Sequence, residues 1–147
     1  MFTRKLALAV AFTALFDAAA NAGPNIHVSV PNFGSIATHG VNSPGINVHA
    51  GVPSLFGKTS VNVLNGATGK ITTTGKNSPG INVAATGGKF GSTKVAVNNK
   101  GTIKTTGKNS PGINVNAKGG NANVNVTNSG SITTTGANSA GISVTAQ

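Results

Sequence analysis

The chain of 147 residues contains one acidic side chain, Asp17, against eleven basic ones, and no cysteine, tryptophan or tyrosine. Charged residues make up 8% of it, where an ordinary globular domain carries about a quarter. Without paired carboxylates, the acid and nucleophile of glycoside hydrolysis are missing, and a Ser/His pair has no acid to orient its imidazole. The lack of cysteine removes disulfides, thiol nucleophiles and thiolate metal sites. With Phe as the sole aromatic, there is little material for a broad aromatic recognition surface. The expectation is a protein that is not an enzyme and holds no cofactor.

The N-terminus reads as an address. Arg4 and Lys5 precede an apolar run of eleven residues, Leu6 to Phe16, and small residues follow up to Ala20-Asn21-Ala22. That run falls short of the roughly 20 residues a spanning helix needs. A basic start, a short apolar stretch and an A-x-A site describe a signal peptide over residues 1–22, cleaved after Ala22. The expected destination is the periplasm, the cell surface or the extracellular space, with no transmembrane segment in the exported part. Asp17, Arg4 and Lys5 leave with the signal, so residues 23–147 keep nine lysines, no arginine and no acid. An exported chain without cysteine relies on packing and backbone hydrogen bonds alone, which points to bacterial export.

What the chain has instead is glycine, asparagine, serine, threonine, valine and isoleucine, arranged as a repeat. Residues 34–50, 69–85, 101–117 and 130–146 are four copies of Gly-x-Ile-x-Thr-x-Gly-x-Asn-Ser-Pro-Gly-Ile-x-Val-x-Ala, with Ala140 in place of proline and Ser143 in place of asparagine in the last. A Val-x-Val pair precedes each copy, at Val28/Val30, Val61/Val63, Val95/Val97 and Val124/Val126. One unit thus holds three short alternating runs, the period-two pattern of strands with one buried face. Nothing in residues 23–147 shows a helical apolar period, and frequent glycine disfavours helix.

The spacing separates a rigid corner from tolerant ones. Ile36 to Ile46, Ile71 to Ile81, Ile103 to Ile113 and Ile132 to Ile142 are each ten residues, whereas the units recur at 35, 32 and 29. Length changes therefore fall elsewhere, chiefly in 51–59, 86–93 and 118–122. Pro44-Gly45, Pro79-Gly80 and Pro111-Gly112 fit the centre of a type II turn, in which proline presets φ and glycine accepts a positive φ. Gly141 keeps the permissive residue beside Ala140. Asn42, Asn77, Asn109 and Asn138 are expected to stack their amides from copy to copy, as a structural ladder rather than a binding groove.

Stacked about 4.8 Å apart, the copies align like with like in every column. The fold class expected is all-β, a β-solenoid, taken as a right-handed parallel β-helix of about four rungs with three strands each. Its inward columns would be Val28/Val61/Val95/Val124, Ile36/Ile71/Ile103/Ile132, Ile46/Ile81/Ile113/Ile142 and Val48/Val83/Val115/Val144, with Ala50, Ala85, Ala117 and Ala146 filling the narrow ends. An antiparallel sandwich is the alternative, but it leaves the column-by-column recurrence unexplained.

The sequence Gly-x-Ile-Thr-Thr-x-Gly-x-Asn-Ser-x-Gly-Ile resembles the repeats of bacterial autotransporter passenger domains, over roughly Phe33 to Ala146. The resemblance implies a β-helical, adhesin-like surface or secreted protein. The C-terminal outer-membrane barrel of that family, which needs many alternating strands of about ten residues, is not among these 147 residues.

The polar residues narrow the function further. His27, His39 and His49 all fall in the first unit at expected outward positions, and their spacing matches no standard zinc motif. Lys70, Lys76, Lys104 and Lys108 belong to the second and third copies, with Lys76 and Lys108 at the same repeat position. They are the candidates for binding an anionic polysaccharide, lipopolysaccharide or other cell-surface polyanion. Specific nucleic-acid recognition is not expected, for want of arginine and base-stacking aromatics. Phe33, Phe56 and Phe90, each before a glycine, are expected to cover an apolar rung edge from a loop. The leading expectation is an exported, non-catalytic surface or matrix solenoid that binds a surface or polyanion through its lysines. The alternative is a fibre or biofilm subunit assembling end to end, and less favoured is an ice-binding solenoid based on its threonine runs.

Overall fold

The computed structural model describes residues 10–15, 25–52 and 54–147. Among the described residues every regular element is a strand. Each of four successive turns contributes three: β2 (Asn25–Asn32), β3 (Ser35–Thr38) and β4 (Ile46–Gly51); β5 (Lys58–Asn65), β6 (Lys70–Thr73) and β7 (Ile81–Thr86); β8 (Thr93–Asn99), β9 (Thr102–Thr105) and β10 (Ile113–Lys118); β11 (Ala122–Asn128), β12 (Ser131–Thr134) and β13 (Ile142–Ala146). A further strand, β1 (Val10–Leu15), precedes them. Corresponding strands pair in parallel, giving sheets in the orders β1-β4-β7-β10-β13, β11-β8-β5-β2 and β12-β9-β6-β3. This is a β-solenoid of four turns. Of the segment read as a signal peptide, Val10–Leu15 pairs with β4, with Val10 opposite Ile46 and Phe12 opposite Val48. Arg4, Lys5, Asp17 and the Ala20-Asn21-Ala22 site lie outside the described residues.

The register puts each repeat residue on its own counterpart: Ile46 on Ile81, Ile81 on Ile113 and Ile113 on Ile142. The column residues of the first three turns are buried, with Ile71, Ile81, Ile103, Ile113, Val48, Val83 and Val115 at or near zero exposure. Full burial of one such side chain is worth about 1.5–3 kcal/mol, and a thin core built this way needs few residues per turn. In the fourth turn the columns open: Val124 and Ile132 are half-buried, and Ile142 and Val144 are 40% and 45% exposed. The second valine of the first three Val-x-Val pairs, at Val30, Val63 and Val97, is also buried, because strands of seven or eight residues in this sheet carry a longer inward row than one valine.

The corner between the second and third strands is not a type II turn. Gly45, Gly80, Gly112 and Gly141 lie outside the left-handed region, and that conformation falls instead on Asn42, Asn77, Asn109 and Asn138, with φ of 55°, 56°, 54° and 55°. Asparagine tolerates this region better than most residues. Gly45, Gly80 and Gly112 are needed for space: a Cβ at Gly80 would overlap Ile103 Cγ2 and the Gly112 carbonyl, and one at Gly112 would overlap Ile132 Cγ2 and the Gly141 carbonyl. The proline-glycine pair therefore brings one turn close against the next, while the asparagine reverses the chain.

Side chains then lock the corner. Thr38, Thr73, Thr105 and Thr134 donate through Oγ1 to the carbonyls of Ser43, Ser78, Ser110 and Ser139 at 2.6–2.7 Å. The backbone N–H of Ser43, Ser78 and Ser110 donates to the serine Oγ of the next turn at 2.9 Å. Those hydroxyls donate onward to the carbonyls of Gly40, Gly75 and Gly107. Each buried polar group in this chain of bonds thus has a partner, as burial requires.

Candidate functional site

All nine lysines from Lys58 to Lys118 are exposed, and the described residues contain no acidic side chain to neutralise them. Their placement is uneven. Lys70 opens β6 and Lys104 lies on β9, paired with Thr102 and Thr72 respectively, so the two stand diagonally on the outer face of one sheet. Lys76 and Lys108 sit at the corner that follows, one turn apart, where Asn77 N–H donates to the Lys108 carbonyl. The four candidates are thus brought to one sheet and its adjoining corner. Lys58, Lys89, Lys94, Lys100 and Lys118 lie outside that sheet and corner.

Along the same corner runs a trough of about 490 Å³, parallel to the stacking direction. One wall is the left-handed column Asn42, Asn77, Asn109 and Asn138; the middle is Pro44, Pro79, Pro111 and Ala140; the other wall is Asn47, Asn82, Asn114 and Ser143 on the sheet of β4, β7, β10 and β13. The second wall is an amide ladder. Asn82 Nδ2 donates to Asn47 Oδ1, and Asn114 Nδ2 to Asn82 Oδ1, both at 2.8 Å.

The column expected to stack is the weaker one. Asn109 Nδ2 reaches Asn77 Oδ1 at only 3.4 Å, because these residues are set by their backbone conformation rather than by amide pairing. The strongest ladder is one that sequence reading missed. Asn32, Asn65, Asn99 and Asn128 are linked Nδ2 to Oδ1 at 2.8, 2.7 and 2.7 Å, with the first three buried. The available signal was their recurrence two residues before the glycine that opens the repeat at Asn32, Asn99 and Asn128, and four before it at Asn65.

His27, His39 and His49 are exposed, with His39 Nδ1 hydrogen-bonded to Thr74 Oγ1. Among the described residues no three potential metal ligands of the His, Cys, Asp or Glu type come together. The phenylalanines do not cover a rung edge. Phe33, Phe56 and Phe90 are each more than half exposed, Phe56 stacks on Phe90 with centroids 5.5 Å apart, and Lys89 Nζ lies 5.7 Å from the Phe90 ring centre. The core is already filled by valine and isoleucine columns, which leaves these rings outside on the loops. The threonine runs are likewise split between faces, since Thr73 is buried while Thr74 is exposed.

No family model, no curated protein and no solved structure matches the chain.

Proposed function

We propose that this protein is an exported, non-catalytic β-solenoid of a bacterial surface or extracellular matrix, adhesin-like, that binds a polyanion through its lysines. The observation that carries this reading is the convergence of Lys70, Lys76, Lys104 and Lys108 on one sheet and its corner, with no acidic side chain among the described residues. Uncompensated like charges held one strand spacing apart repel one another, and an anionic ligand relieves that repulsion. A non-catalytic role is supported by the shortage of acids, and export by the basic, apolar and small-residue order of residues 1–22. The resemblance of the repeat to autotransporter passenger domains adds the surface location.

Retention of the purified full chain on inorganic polyphosphate, measured against salt, tests the reading. Binding should weaken steeply as ionic strength rises, and replacing Lys70, Lys76, Lys104 and Lys108 by alanine should flatten that dependence. Retention that is indifferent to salt, or unchanged in the four-lysine variant, overturns it.

A further inference from the structure

We propose that the trough beside Lys76 and Lys108 is the binding site of a linear acidic polysaccharide lying along the solenoid axis, one sugar per turn. The proposal rests on the polyanion reading above and names the ligand class and its seat. Three properties of the trough point to a sugar chain rather than to bare anions.

The first is the chemistry of the walls. A carboxamide has two N–H donors and an oxygen with two lone pairs. The ladder uses one N–H of Asn82 toward Asn47 and one lone pair toward Asn114, so a donor and an acceptor remain on the same side chain. Sugar hydroxyls also donate and accept, whereas phosphate or sulfate groups call for donors alone.

The second is the middle of the trough, where Pro44 and Pro111 are half-buried with Pro79 buried between them, so that the rings of Pro44 and Pro111 offer an apolar surface to the C–H face of a pyranose. The third is periodicity. Turns recur at the strand spacing of about 4.8 Å, close to the advance per ring of an extended β-1,4-linked chain, so successive sugars meet the same three side chains. Charge complementarity then selects an acidic chain: Lys76 and Lys108 directly precede the trough residues Asn77 and Asn109, and no acidic side chain of the described residues opposes them.

The protein supplies its own template for a silent site. The fourth copy has Ala137, Ala140 and Ser143 where the second and third have lysine, proline and asparagine, yet its corner keeps the same backbone bond, Gly112 N–H to the Ala140 carbonyl at 3.1 Å, as Gly80 N–H makes to Pro111. The full chain carrying Pro79→Ala, Asn82→Ser, Pro111→Ala and Asn114→Ser, all nine lysines retained, should therefore fold. Its affinity for β-1,4-linked oligomannuronate, by calorimetry, should fall at least about tenfold while polyphosphate retention stays as in the parent. Lys76→Ala with Lys108→Ala should weaken both ligands.

A trough variant that binds oligomannuronate within about twofold of the parent overturns the proposal. So does a parent chain that holds polyphosphate in a salt-dependent way but binds no oligomannuronate, a result that leaves the polyanion reading standing. Loss of salt-dependent polyphosphate binding in the parent defeats both. If the fourfold variant loses its β-type circular dichroism, Asn82→Ser with Asn114→Ser carries the same comparison.

Discussion

Each turn of the solenoid has one corner of constant length, between its second and third strands, and one of variable length, in residues 52–57, 87–92 and 119–121. Both are hydrogen-bonded to their counterparts in neighbouring turns. The variable loops do it mainly by backbone, as in Gly88 N–H to the Gly57 carbonyl and Phe90 N–H to the Leu55 carbonyl. The side-chain bonds at their edges, Thr59 Oγ1 to the Thr86 carbonyl and Thr93 Oγ1 to the Lys118 carbonyl, span 27 and 25 residues rather than closing one loop. The constant corner adds the threonine-to-serine bond across five residues and the serine-to-serine bond between turns. Backbone bonds form wherever two loops run side by side, so they tolerate insertions. A side-chain bond that must close over a fixed number of residues does not. The variable loops also carry the exposed Phe56 and Phe90 and a buried Ser54 Oγ with no hydrogen-bond partner, features the constant corner lacks.

The contrast is most sharply broken at the glycines. Gly80→Ala should destabilise the protein by about 3 kcal/mol, because its Cβ would overlap a backbone carbonyl that cannot yield without moving the next turn. Gly141→Ala, where the same atom meets only Ile132 Cγ2 at 3.9 Å, should stay within about 0.5 kcal/mol in the same denaturant titration. A comparable loss at both sites would show that the close approach of turns is not what requires glycine.

Removing the lock comes next. Ser78→Ala leaves the Ser43 N–H and the Gly40 carbonyl without that hydroxyl and should cost about 1–3 kcal/mol. Asn65→Ala breaks two rungs of the buried amide ladder and belongs in the same range. Urea unfolding of each checks the figures, and a Ser78→Ala chain as stable as its parent would remove the role given to the serine-to-serine bond between turns.

Smaller effects sharpen the comparison. Pro79→Ala should cost about 0.4–1 kcal/mol, through the freedom regained by the unfolded chain. Replacing Phe90 by serine in the variable loop, which removes one exposed aromatic pair, should cost no more than Pro79→Ala does. Should the loop substitution prove the costlier of the two, the division between locked and tolerant connections would be wrong.

Much of this was legible in the residues. The period-two runs and the recurrence of valine, isoleucine and alanine at fixed columns led directly to parallel stacked strands, because a solenoid imposes the same environment at the same repeat position. Three kinds of information were not legible. Asparagine recurs in several columns, and nothing in its identity distinguishes a left-handed corner residue such as Asn77 from an outer ladder residue such as Asn82 or a buried one such as Asn65. A glycine after proline reads as a turn residue, and only the neighbouring turn shows that at Gly80 the limiting factor is space. An apolar ring such as Phe90 reads as a cover for the core, and only the filled columns show there is no core left for it to cover. The candidate lysines could be numbered from the sequence, but that Lys76 and Lys108 flank a proline-floored trough follows from the path of the corner.

The sequence by itself determined the class of fold, the register and the unbalanced positive charge, since these depend on which residue types recur and at what interval. Tertiary structure decided what each recurrent residue does, because the partner of Ser78, Asn82 or Gly80 is its own counterpart roughly one repeat away, and the contact exists only once the turns are stacked.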